Sequence, residues 1–195
     1  MPLIGTGKWR FGARKLSASG GPRRRSHKEW SDMRIKTFEE FYVAELQELS
    51  SVENQLGELL LEMAEVASSP ALKDALAKHR EQALVHQERL ETLLSRHRAK
   101  AEHTDQAMQA LAHETRKMAE IVEGNELRDA ALIASAQKLG HYEIAAYSTA
   151  AALAGQLNLR DDQKALHQTL EEKKKADAAL TQLAKGEVNP GASSA

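Results

Sequence analysis

Seven polar side chains fall where helical periodicity calls for apolar ones: Glu53, His79, Gln82, His86, Glu143, Lys173 and Asp177. They come from four separate amphipathic segments. A carboxylate buried alone is costly, so each must be paired, protonated or bound to a cation. Carboxylates from facing helices, joined by imidazoles, form an oxygen and nitrogen donor set that suits iron or manganese in a dinuclear bundle site. Metal held that way can be oxidised or can activate dioxygen. Lys173 points to different chemistry, because an ammonium in the same layer repels a metal cation and pairs instead with Glu143, Glu53 or Asp177. Asp177 follows it by four residues, on the same helical face. Glu143, within LGHYEIAAYSTA at 139–150, therefore faces a metal ion, a counter-charge or water. Taken singly, each residue also fits a plainer role: a hydrogen-bonded core histidine, a glutamate at a stripe edge, or, for the run KKKAD, a solvated face.

Long helices must position these residues. Thr37 and Glu40 form a capping-box pattern ahead of a helix to about Ala67, whose stripe reads Phe38, Phe41, Leu46, Leu49, Val52, Leu56, Leu60 and Met63. Ser68, Ser69 and Pro70 break it and start a second helix, to about 98, with Leu72, Leu76, His79, Ala83, His86, Leu90 and Leu93 in heptad register. A shorter third helix is expected from Thr104 to about Glu123, with Gly124 as its C-cap. Asn125 is then placed to cap a long fourth helix to about Leu157, closed by Asn158. A fifth spans about 161–185 before Gly186, and residues 187–195 read as a frayed tail. Two hairpins of long helices, joined through a connection with its own short helix, predict an all-α, ferritin-like four-helix bundle.

Composition agrees. Aromatic residues make up 4% of the 195-residue chain, leaving strand pairing few partners. There is no cysteine, which excludes thiolate metal sites and thiol nucleophiles. No apolar run approaches the roughly 20 residues of a membrane span. Gly5 and Gly7 in GTGKWR lack the preceding strand and the spacing of a phosphate-cradling loop. Residues 1–33 hold eight Lys and Arg against two acids, a net of +6 in a chain of net charge -1. With Trp9, Trp30 and many Gly and Ser, this head reads as a flexible basic extension. It suits a nucleic-acid arm, a targeting segment, or an overlong start before Met33. Residues 34–186 form the helical domain.

From Met33 onward the chain resembles the YciE/YciF family of ferritin-like proteins, some of which are described as candidate ferroxidases. The matching stretches are MRIKTFEEF, ELQELSSVENQL, RDAALIASAQKLGHYEIAAYSTAAALAGQLN and QTLEEKKKADAALTQLA. The resemblance implies a five-helix unit, often dimeric, in the bacterial cytoplasm under stress. It further implies that Glu53, His86, Glu143 and Asp177 occupy metal-ligand positions, with Glu172 retained and His79 or His141 nearby. Three expected carboxylates are replaced, by Gln82, Gly140 and Lys173. Three carboxylates lost and one ammonium gained make a shift of four charges, and two divalent ions carry about four.

The expectation is a degenerate metal centre in a structural or interaction protein, with Lys173 as a metal-replacing cation. The alternatives are an iron or manganese ferroxidase, and a nucleic-acid-binding ferritin relative that uses residues 1–33.

Overall fold

The Thr37 hydroxyl accepts from the Glu40 amide at 3.0 Å, and the Glu40 carboxylate accepts from the Thr37 amide at 3.1 Å. This reciprocal pair satisfies two otherwise unbonded groups and starts α1 (Phe38–Val66). The computed structural model describes residues 34–194, so the basic extension 1–33, with its nucleic-acid reading, lies outside the described residues. α2 (Pro70–Arg96) follows a three-residue turn, with Ser69 accepting from the Leu72 amide and Pro70 in its first turn. The crossover contains α3 (Gln106–Ile121), capped by Asp105. α4 (Asn125–Gln156) and α5 (Arg160–Leu183) complete the second hairpin.

α1 packs on α2 and α4, while α5 packs on α4 and α2, which leaves α1/α5 and α2/α4 as the diagonals. Tyr42 reaches Asp162 and Lys173 reaches Glu53, both pairs separated by 120 residues, so α1 and α5 run parallel. A parallel pair requires the long crossover. The result is the all-α, ferritin-like bundle, with no strand among the described residues. No helix of the described chain is long and apolar enough to cross a membrane.

Several boundaries differ from expectation. Gly124 does not close α3, which ends with Val122 as its cap; at φ +89° it instead precedes α4, in a backbone region open to glycine, and Asn125 becomes the first helical residue. Asn158, at φ +59°, lies just past the end of α4 in the left-handed region that asparagine tolerates. Phe38 and Phe41 are 47% and 36% exposed, stacked edge-on against each other outside the bundle. The inner stripe of α1 enters the core at Tyr42, one residue further round the helix.

The frayed tail is a correction too. The chain passes Gly186 in a π-helical turn, Ala184–Val188, and continues as α6 (Asn189–Ser194). Val188 is buried and Ser69 donates to Glu187 at 3.0 Å, so the end of the chain docks on the α1–α2 turn.

Candidate functional site

The inner face of α4 is made of Ala136, Gly140, Glu143, Tyr147, Ala150 and Ala154, all buried. Small residues bring neighbouring helices close and leave room for long side chains entering from them. Lys173 uses that room. It leaves α5 and is almost fully buried, with its Nζ 2.9 Å from Glu53 Oε1, 3.0 Å from Glu53 Oε2 and 2.5 Å from Glu143 Oε1. Glu53 and Glu143 are themselves without solvent exposure. The amine thus stands between carboxylates on the diagonal helix α1 and the adjacent helix α4.

Two further groups address Glu53. Tyr147 donates to Oε1 at 2.7 Å, and His86 Nδ1 lies 3.3 Å from the same oxygen. His86 Nε2 turns outward to Glu172 at 2.9 Å, where Arg89 also meets Glu172 at 3.0 Å and Gln168 donates at 2.9 Å. A chain of polar contacts therefore runs from the centre to the rim. The Tyr147 hydroxyl and Arg89 escape a search for metal donors. Their signals are an aromatic with a polar tip on a core stripe, and a basic residue three positions after His86.

Charge follows geometry. Burial alone raises the Glu53 carboxyl, but Lys173, His86 and Tyr147 outweigh it and hold it down to about 2. Glu143 goes the other way: burial, with the Glu53 charge added, pushes it up to about 8 against the pull of Lys173. Burial opposes the Lys173 ammonium, yet Glu143 and Glu53 raise its pKa above the ordinary value. The ammonium is thus flanked by Glu53, which its neighbours hold toward the ionised form, and by Glu143, which burial drives toward the protonated one. Burial first, then Lys173, lowers His79 to about 3, so its imidazole is neutral.

Of the expected site residues, the structure brings Glu53, His86, Glu143 and Lys173 together, with His79 Nε2 at 3.9 Å from Glu143 Oε2. Asp177 stands apart. It is half-buried, accepts from Gln137 at 3.5 Å and lies 3.6 Å from the exposed His141, so it is not the partner that Lys173 takes. Gln82 is half-buried on the flank of α2, and Glu172 lies at the rim.

This arrangement does not fit a pair of divalent ions. The ammonium already takes the oxygens of Glu53 and one oxygen of Glu143, and its charge repels a cation. Among the described residues, no group of three or more His, Cys, Asp and Glu is arranged to hold a metal ion.

Residues 37–193 match the model of the family described as a domain of unknown function, DUF892. Protein YciF of Escherichia coli strain K12 is 41% identical over 159 residues, covering 80% of this chain and 96% of YciF. The crystal structure of the E. coli stress protein YciF superposes with a TM-score of 0.76 at 40% identity, over 80% of this chain and 99% of that one. YcfI from Rhodopseudomonas palustris, a proposed structural protein, gives a TM-score of 0.74 at 30% identity, over 76% and 96%.

Proposed function

The chain belongs to the DUF892 family, and from that membership we propose a stress-associated ferritin-like protein of the YciF type that serves as a structural or interaction protein. The observation that supports this reading best is the Lys173 ammonium held between Glu53 and Glu143. It supplies at the bundle centre the positive charge that metal would otherwise provide, so the helices are neutralised and joined without a redox-active ion. The kinship with a named stress protein and with a proposed structural protein points the same way. The proposal includes a cytoplasmic homodimer, which light scattering on the purified chain would test.

The competing reading is a ferroxidase that uses Glu53, His86 and Glu143 with Glu172. Both are decided by measuring iron and manganese in chelator-washed protein and following ferrous oxidation, in wild type and in Gln82→Glu/Gly140→Glu/Lys173→Glu. The expected result is metal uptake by the triple variant alone. Stoichiometric metal in the wild type, with ferrous oxidation, would overturn the structural reading.

A further inference from the structure

Gly140 is buried on the inner face of α4, yet a Cβ built on it would meet no atom within 4 Å apart from its chain neighbours and the backbone of its own helix. Glu143 follows three residues later on the same inner face, and helical side chains lean back toward the helix N-terminus. Glu143 Oε1 is taken by Lys173, whereas the buried Oε2 has no protein hydrogen-bond partner. From α2, His79 is 6% exposed and neither ring nitrogen has a protein partner. Its Nε2 lies 3.9 Å from Glu143 Oε2, beyond hydrogen-bond range. Leaving a buried polar atom unsatisfied carries a substantial penalty, and here three such atoms, Glu143 Oε2 and both His79 ring nitrogens, belong to buried residues of α4 and α2.

We infer that the space beside Gly140 is a buried hydration site, in which water hydrogen-bonds to Glu143 Oε2 and His79 Nε2. The inference rests on the metal-free reading of the centre. The chemistry selects the occupant: Lys173 disfavours a second cation, ionised Glu53 disfavours an anion, and unsatisfied polar atoms disfavour an apolar guest. Two atoms 3.9 Å apart lie close enough for one water at about 2.8 Å from each, and a polar cavity with two or more partners is where buried water is held. The water gives each diagonal helix one more link to the other.

Thermal unfolding of the full chain with Gly140→Ala and Gly140→Ser tests this. In a helix, alanine is intrinsically better than serine, so a dry space predicts that the alanine variant melts higher. A hydration site predicts the reverse order, because the serine hydroxyl replaces or bonds the water while the alanine methyl crowds it. The expected result is a serine variant melting at least about 2 °C above the alanine variant. An alanine variant at or above the serine variant overturns the proposal. Should either variant fail to fold, water–protein cross-relaxation in the wild type decides: a long-lived water peak at the His79 ring supports the site, and its absence refutes it. Metal content of the same wild-type sample separates the two failures, since bound iron or manganese sinks the metal-free reading itself.

Discussion

Lys173 meets Glu143 at 2.5 Å from the neighbouring helix of its own hairpin, while its other partner, Glu53, comes from across the bundle. One buried amine therefore joins both hairpins at their centre. The pairing is demanding, because a partner left behind keeps its full desolvation penalty.

Lys173→Met should destabilise the protein by about 3–5 kcal/mol in chemical unfolding, as expected when one member of a buried ion pair is removed. Adding Glu53→Gln and Glu143→Gln should recover a large part of that loss. If Lys173→Met unfolds like wild type, the amine is not the partner of these carboxylates.

Stability should depend on pH in two directions. Glu143 is raised from 4.5 to about 8, so its contribution is full below the unfolded value and is lost as pH rises through about 8. Glu53, lowered from 4.5 to about 2, contributes above the unfolded value and loses that contribution as pH falls toward about 2. His79, lowered from 6.5 to about 3, likewise favours the fold above 6.5 and weakens it as acid is added. Wild type should melt lower as pH rises between 6.5 and about 8, and Glu143→Gln should lack that decline. Parallel profiles for the two proteins would contradict the assignment.

Tyr147→Phe removes one hydrogen bond to an ionised, fully buried carboxylate and should cost about 1.5–3 kcal/mol in equilibrium unfolding. Tyr142→Phe, at a half-buried site where the hydroxyl donates to Asp105, gives the comparison. The Tyr147 change should also make the bundle easier to unfold in acid, since one of the groups holding Glu53 low is gone.

The docked end of the chain predicts a local effect. Val188→Asp places a charge in a buried position, and hydrogen exchange should then quicken along 184–194 with little change in the four long helices. Unchanged protection in that segment would mean that the tail is held by something other than Val188.

The four long helices were readable because Leu72, Leu76, Leu90 and Leu93 repeat at heptad spacing and Thr37, Ser69 and Asn158 mark their ends. Lys173 was readable for the same reason, by its phase with Leu166, Leu170 and Leu180. Phase locates a residue to a face, however, and not to a partner. Asp177 shares the helix with Lys173 but lies round its edge, where Gln137 and His141 compete for it. Phe38 and Phe41 fit the α1 stripe by spacing, yet lie on its outer edge, because the core is set by what the other helices present and not by apolarity alone. The tail held no apolar periodicity to detect, with Val188 its one large apolar residue, so its docking depends on tertiary contact.

Another buried acid extends the logic of the centre. Asp162 accepts from Tyr42 at 3.1 Å, Arg96 at 2.7 Å and His97 at 2.8 Å, near one end of the bundle. The Tyr42–Asp162 and Glu53–Lys173 links fasten the same two parallel helices at heights three turns apart. Greasy surfaces tolerate sliding; these bolts do not. Moving α5 along α1 by a single turn would break both links at once, so such a misalignment costs polar pairing as well as packing.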